Sequence, residues 1–205
     1  MSTATATADT HHDHDSHATN TGISNNKLAM WLFLSTECLL FGALISTYLL
    51  YKTRGNGDVL PTDIFDIPFT SVSSFVLLMS SLTMVLALSA VTRGEMDRGK
   101  AWLLVTAMLG GVFIGGQVYE FTSFYREGLG YTTNPAASAF YTLTGFHGVH
   151  VSLGILMLMS LWVAAQQGKL TQKNNETVEI VGLYWHFVDI VWIFIFTVIY
   201  LIPPA

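Results

Sequence analysis

The sequence predicts an all-α polytopic membrane protein, folded as a bundle of five transmembrane helices. Of its 205 residues, 51% are hydrophobic and only 11% are charged, whereas soluble domains carry about 25% charged residues. Five apolar segments are each long enough to cross a hydrocarbon core of about 30 Å at 1.5 Å per residue. These observations exclude a soluble domain, and the same hydrophobicity excludes a disordered chain.

The charge balance and the cysteine content exclude further classes. A net charge of −5 gives no reason to expect a nucleic-acid partner, which requires a basic surface. The chain has one cysteine, which excludes a disulfide framework and any CxxC metal site.

Residues 1–26 differ in composition from the transmembrane domain that we expect over residues 27–205. They are rich in Thr, Asn, His and Asp and lack apolar periodicity, so they predict a disordered polar tail. A secretory signal is excluded because the tail has no basic start and no apolar core. The sequence favours a solvated tail but leaves loose binding of a transition metal open, through His11, His12, His14 and His17.

The apolar segments define the expected helices in order. Between them lie short connections containing the Gly and charged residues typical of loops. The first connection also holds the acidic stretch 61–68, which we expect at the surface. The expected spans are residues 28–51, 69–92, 101–125, 138–166 and 178–202.

Lysine and arginine predict the orientation, because loops inside the cell carry an excess of them. Placing the N-terminus inside and the C-terminus outside leaves three basic residues outside, with Asp58, Asp63 and Asp66. Those three are Lys52, Arg54 and Arg126. The six basic residues inside are then Lys27, Arg93, Arg98, Lys100, Lys169 and Lys173.

Five ionisable residues fall near the middle of the bilayer, where such groups are costly and are candidates for function. They lie on spans one, four and five at matching depths, so we expect a shared buried polar cluster. The five are Glu37, His147, His150, His186 and Asp189.

Spacing supports the idea of a cluster. His147 and His150, like His186 and Asp189, are three residues apart and share a helix face. An aspartate one turn from a histidine can accept its ring N–H, and a buried acid such as Glu37 could take up and release protons. The alternative, which spacing alone favours, is that these groups only fasten helices together, at about 1 kcal/mol each. HxxH offers two metal ligands, but the sequence supplies no convincing remainder, so we predict no metal site.

The third span contains a polar pair and a glycine motif. Gln117 and Glu120 are three residues apart near the outer end, where a helix–helix hydrogen bond or a snorkelling carboxylate is expected. Gly111 and Gly115 form a G-x-x-x-G motif, extended by Gly110 and Gly116, which predicts a face that packs closely against another helix.

Four motifs resemble subunit III of the haem-copper terminal oxidases, in that family's order and spacing. The resemblance covers residues 27–203 and is closest to the short, five-helix form of the family. The motifs are WLFLSTE (31–37), FIGGQVYEF (113–121), AFYTLTGFHGVHVSLG (139–154) and YWHFVDIVWIFIFTVIYL (184–201).

The resemblance implies an accessory, non-catalytic subunit of an oxidase that reduces O₂ and pumps protons across a bacterial cell membrane. It implies no cofactor in this chain, haem and copper in partner subunits I and II, bound phospholipid, and support of proton uptake and of the stability of subunit I. It also leaves room for a small subunit IV and a respiratory supercomplex. Glu37 matches the family's buried glutamate in its S-x-E motif, and the two histidine-containing pairs match its polar positions on later spans.

Alternatives remain in the electron donor and in the class of protein. The short form serves both cytochrome c oxidases and quinol oxidases; we favour cytochrome c, although the His-rich tail and DIFDIPF (63–69) resemble quinol-oxidase members. A free-standing transporter using the same polar cluster is the rival from another class, and a purely structural lipid-binding scaffold is a third interpretation.

Overall fold

A computed structural model of the chain describes residues 24–52, 61, 65–171 and 175–202. Across these ranges the protein is all-helical, and five of its helices are long and apolar enough to cross a membrane, which confirms the predicted fold class. The helices are α1 (Asn25–Tyr51), α2 (Ile67–Thr92), α3 (Met96–Arg126), α4 (Pro135–Gln166) and α5 (Asn175–Phe196), which a π-helical turn (Thr197–Leu201) continues.

Each helix begins two to five residues before the apolar span that the sequence predicts, because polar caps precede the apolar residues. The side chains of Ser24, Asp66 and Asn134 each accept a hydrogen bond from a backbone N–H in the first turn of α1, α2 and α4. The predicted tail therefore ends earlier than residue 26, since α1 starts at Asn25. The rest of the tail, including its four histidines, and loop residues 54–58 lie outside the described residues.

Contacts at the helix ends show how the helices run. The ammonium group of Lys27 lies 2.7 Å from Glu179, so α1 and α5 start on the same side of the bundle, which we call the N-terminal side. On the opposite side, Lys52 Nζ donates hydrogen bonds to the carbonyls of Val198 and Ile202 in and after the π-helical turn. Helices α1 and α5 are therefore parallel, and the assignment of the two sides to inside and outside remains a prediction.

Burial divides the helices into a centre and an edge. Helix α5 packs against α2, α4 and α1, and half of its most apolar stretch (50%) is buried. The corresponding stretch of α1 is only 11% buried, and three side chains at seven-residue intervals (Leu34, Phe41 and Tyr48) are its buried residues. Most of the surface of α1 therefore faces whatever surrounds the bundle.

The centre is built around Trp185 of α5, which is fully buried. A Cβ added at Gly110 of α3 would lie 2.5 Å from Trp185 Cη2, and one at Gly154 of α4 would lie 2.7 Å from Trp185 Cε3. Only glycine leaves room for the indole ring at these two positions.

The glycines of the third span divide: within the described part of the chain, Gly111 and Gly115 do not pack against another helix. A Cβ at either position would meet nothing within 4 Å. The close contacts are made by their neighbours, Gly110 against Trp185 and Gly116 against Ser73 Oγ, 3.0 Å from an added Cβ. One step along a helix rotates a position by about 100°, so the motif points away from the bundle while its neighbours face into it.

Candidate functional site

Glu37 and His150 are in direct contact where α1 meets α4. Glu37 Oε2 lies 3.1 Å from His150 Nε2, and their side chains are only 14% and 10% exposed. The sequence predicts that these residues lie at one level of the membrane, and the structure joins them.

The second ring nitrogen of His150 determines how protons are placed in this pair. His150 Nδ1 lies 2.8 Å from the carbonyl oxygen of Phe146, which can only accept, so Nδ1 carries a hydrogen and donates it. The Nε2–Oε2 contact then holds one proton, on the carboxyl group or on the imidazole. Both forms of the pair have no net charge, which is how a bilayer interior tolerates an acid and a base together.

The surroundings of the pair are aromatic on one side and open on the other. The ring of Phe41 lies edge-on to His150 with centroids 5.0 Å apart, and the hydroxyl of Tyr184 donates to the His150 carbonyl at 3.0 Å. His150 also borders an apolar groove of about 360 Å³ between α1 and α4, lined in part by Phe33 and Leu153. The pair thus lies at the edge of the bundle and not in its centre.

His147 is one turn from His150 but has a different neighbour. It is fully buried, and its Nε2 donates to the carbonyl of Val188 on α5 at 3.2 Å. The rings of Phe113 and Trp192 pack against it, with centroids 5.8 and 4.8 Å away. Its Nδ1 has no hydrogen-bond partner among the described residues.

His186 and Asp189 face α2. His186 Nδ1 lies 2.7 Å from the hydroxyl of Ser81. Asp189 is 3% exposed, and among the described residues neither of its oxygens has a hydrogen-bond partner. The two side chains therefore do not form the hydrogen bond that their spacing allows, because the imidazole reaches across to α2 and bonds to Ser81.

The five predicted residues consequently form separate groups. One is the Glu37–His150 pair, another is the Ser81–His186–Asp189 group, and His147 stands between them, bonded to α5 backbone. The structure therefore divides the expected cluster: in the described residues no hydrogen bond connects these groups, because the side chains leave α4 and α5 toward different neighbouring helices.

The polar pair of α3 fastens helices, as predicted. Gln117 Nε2 donates to the carbonyl of Thr144 on α4 at 2.6 Å. Glu120 is buried; it accepts a hydrogen bond from the hydroxyl of Thr70 on α2 and a long one, 3.5 Å, from Tyr200. Its carboxylate is therefore bonded within the protein and does not snorkel.

Sequence reasoning missed the hydroxyl groups of α2. Trp192 and Trp185 donate their indole N–H to Ser74 and Ser80 at 2.8 and 3.0 Å, and Thr83 bonds to Thr106 of α3 at 2.8 Å. The available signal was the number of Ser and Thr residues in an otherwise apolar span, since such hydroxyls commonly bond between membrane helices.

The described residues include no group of three or more His, Cys, Asp or Glu side chains placed to hold a metal ion. The four histidines of the tail lie outside those residues.

Comparisons with known proteins match nearly the whole chain. The family model for cytochrome c oxidase subunit III matches residues 5–203. Cytochrome c oxidase subunit 3 of Bacillus sp. (strain PS3) is 40% identical over 177 residues, covering 86% of each chain. Cytochrome bo(3) ubiquinol oxidase subunit 3 of Pseudomonas aeruginosa is 41% identical over 197 residues, covering 95% of this chain and 93% of that one. Quinol oxidase subunit 3 of Bacillus subtilis is 37% identical over 176 residues, covering 86% of each chain.

Proposed function

This chain belongs to the cytochrome c oxidase subunit III family, and from that premise we propose that its Glu37–His150 pair supports proton uptake in the oxidase. The chain is a multi-pass membrane protein and an accessory subunit of a terminal oxidase complex. The proposal concerns what the subunit contributes to that complex.

The observation that carries the proposal is the 3.1 Å contact between Glu37 Oε2 and His150 Nε2, which requires one proton between them. Because the pair is neutral with one proton, a second proton or the loss of the first leaves a net charge at the edge of the bundle. Such a charge is costly in hydrocarbon, so the pair favours the neutral state and returns to it by releasing the extra proton or by taking up the missing one. The open groove beside His150 places the pair next to whatever covers that face of α1 and α4.

Replacing Glu37 by Gln tests the proposal in the assembled oxidase. The Glu37→Gln variant keeps the shape and a hydrogen bond to His150 but cannot exchange a proton. We expect normal assembly and haem spectra, with slower proton uptake or faster inactivation during turnover. Proton uptake is measured with a pH indicator after an oxygen pulse.

Glu120→Gln is the matched control, since it removes another buried acid that is bonded to Thr70 on α2. We expect proton uptake to stay at the wild-type rate in this variant. Unchanged proton uptake and stable turnover in Glu37→Gln would remove the proposed role of the pair, without affecting membership of the family.

We further propose the partners and cofactors of the complex. Haem and copper reside in partner subunits I and II, this chain has no redox centre and no catalytic residue, and the complex lies in a bacterial plasma membrane. A small subunit IV and a supercomplex complete the proposed assembly. Purification from native membrane in mild detergent, followed by visible spectra and partner masses, tests each of these statements.

Orientation belongs to the same proposal, with the N-terminus inside. Five basic residues stand on the N-terminal side of the described bundle: Lys27, Arg93, Arg98, Lys100 and Lys169. Lys52 and Arg126 stand on the opposite side. This asymmetry supports an inside location by the positive-inside rule, and labelling of single cysteines placed at either end of α3 measures it.

Bound phospholipid is supported by the shape of the α1–α4 contact. One groove of about 360 Å³ is lined by Met30 and Phe33, and a second of about 620 Å³ is lined by Leu44 and Thr142. Both grooves are mostly apolar and suit acyl chains. Mass spectrometry of lipid retained by the purified oxidase is the measurement, and bulky substitutions in the grooves are expected to reduce the retained lipid.

For the electron donor we propose cytochrome c, in line with the relative from Bacillus sp. (strain PS3). A quinol is the second candidate, and the observation in its favour is that the ubiquinol oxidase relative matches 95% of this chain. Oxygen consumption by the purified complex with reduced cytochrome c, compared with a quinol, decides between them.

A further inference from the structure

We propose that Asp189 is a second proton-binding site, separate from the Glu37–His150 pair, that exchanges protons with the N-terminal side through Ser81, His186 and Glu179. The site holds a proton where α2 packs against α5. It does not depend on the role proposed for Glu37.

The first observation is the isolation of the Asp189 carboxyl group. It is 3% exposed, and no hydrogen bond to either oxygen forms among the described residues. An ionised carboxylate without a partner in this setting is far more costly than the neutral acid. The acid form in turn has an O–H group that needs an acceptor, so the group requires a neighbour that can rearrange.

Ser81 is that neighbour. Its hydroxyl lies 2.7 Å from Nδ1 of His186, which precedes Asp189 by one helical turn on the same face of α5. A serine hydroxyl donates one hydrogen and accepts others, and it rotates freely about its C–O bond. Ser81 can therefore relay a proton without movement of either helix: its hydroxyl gives its hydrogen to Asp189 and takes the Nδ1 hydrogen of His186. The imidazole then regains a proton at Nε2 from the side of Glu179.

A small cavity continues the route from His186 toward the membrane surface. It measures about 80 Å³ and is lined by Glu179 and His186, with Gly182 between them on α5 and with Met84, Leu88 and Leu183 as apolar walls. A water needs roughly 10–15 Å³ of such space and two or more polar partners, so the water that the proposal requires is one held by Glu179 and His186. Glu179 is 41% exposed and pairs with Lys27 at 2.7 Å, which places the entrance at the N-terminal side.

The route ends at Asp189. One turn further along α5, the Trp192 indole N–H is fixed to Ser74 at 2.8 Å, and its ring packs on Phe113. A tryptophan in a fixed bond carries no proton onward, so the arrangement is a store and not a channel.

Among the described residues packed against α5, no other titratable group completes a second exit. Helices α1, α2 and α4 pack against α5. From α1, Lys27 faces Glu179, and from α2 the hydroxyl of Ser81 bonds to His186 one turn before Asp189. From α4, His147 donates to the backbone carbonyl of Val188 and not to Asp189.

Infrared spectroscopy of the purified oxidase complex tests the proposal, because a protonated carboxyl group has a C=O stretching band that shifts in D₂O. We expect Asp189→Asn to remove one such band. Ser81→Ala is expected to slow the H/D exchange of that band about tenfold, the change for losing one hydrogen bond of ordinary strength. Ser81→Thr keeps a hydroxyl and is expected to exchange at the wild-type rate. Glu179→Gln is expected to slow exchange because it removes the carboxylate that takes up protons at the N-terminal side.

Two results overturn the proposal. If Asp189→Asn removes no band, the acid is not protonated; if Ser81→Ala and Glu179→Gln both exchange at the wild-type rate, the route is wrong. Glu37→Gln separates this proposal from the previous one. This variant is expected to leave the C=O band of Asp189 and its H/D exchange rate unchanged. A shift of the band or a different exchange rate would show that the two sites are coupled and would contradict their proposed independence.

Discussion

The contact between α1 and α4 and the contact of α2 with α3 and α5 bury polar groups in different ways. Between α1 and α4, one acid and one imidazole share a proton beside an open groove. Along α2, hydroxyl groups meet indole N–H groups and other hydroxyls in a closely packed seam. The first contact borders an open groove and is the one that we propose exchanges protons, whereas the second is closely packed and fixed by its hydrogen bonds.

The difference follows from the chemistry of the donors. The indole N–H of Trp185 or Trp192 only donates, so its bond to serine has one arrangement and serves to hold helices together. The Glu37–His150 contact has two arrangements, with the proton on the carboxyl group or on the imidazole, and both have no net charge. The proton can therefore change position without any change in helix packing. Ser81 and Asp189 are the exception in the closely packed contact of α2 with α5, since we propose that they exchange a proton as Glu37 and His150 do.

The largest loss of stability in the closely packed region is expected from a substitution at Gly110. Gly110→Ala puts a methyl group 2.5 Å from the rigid ring of Trp185, and overpacking of this kind costs about 1–3 kcal/mol. Gly111→Ala, which meets nothing within 4 Å, is the matched control and should stay within about 0.5 kcal/mol. Thermal unfolding of the purified chain in detergent measures both, and equal stabilities would contradict the tight packing around Trp185.

An intermediate effect is expected at Lys52, which ties the loosely packed α1 to the end of α5. Lys52→Met leaves the carbonyls of Val198 and Ile202 without this donor, at a cost of about 1–2 kcal/mol. Amide hydrogen exchange in residues 197–202 should rise accordingly. Arg126→Met, an exposed basic residue on the same side, serves as the control. Exchange that rises equally in both variants would contradict the anchoring role.

The smallest effect is expected from a single hydroxyl in the tight seam. Thr83→Val removes the bond to Thr106, and interhelical hydrogen bonds of this type average about 0.6 kcal/mol in membranes. Ser35→Ala on the exposed face of α1 removes a bond only to its own helix, at the carbonyl of Trp31. Unfolding by denaturing detergent should show a small loss for the first and none for the second; the reverse order would break the distinction between the two regions.

Sequence reasoning reached the number of spans, the level of Glu37 and His150, and the helix-fastening role of Gln117. It failed where the result depends on which side of a helix faces a neighbour. The sequence marked four glycines on α3 without separating them, and within the bundle Gly110 and Gly116 make the contacts while Gly111 and Gly115 do not. The spacing of His186 and Asp189 also suggested a pair that the structure does not form.

The sequence by itself determined the fold class and the depth of each polar residue, because hydropathy and a rise of 1.5 Å per residue are properties of one helix alone. Only the tertiary structure decided the partners of those residues. Each step along a helix turns by about 100°. The rotation of each helix against its neighbours therefore decides whether His186 bonds to Ser81 or to Asp189, and whether Gly110 or Gly111 faces the bundle. That rotation is set by the packing of large side chains such as Trp185 against all the surrounding helices at once.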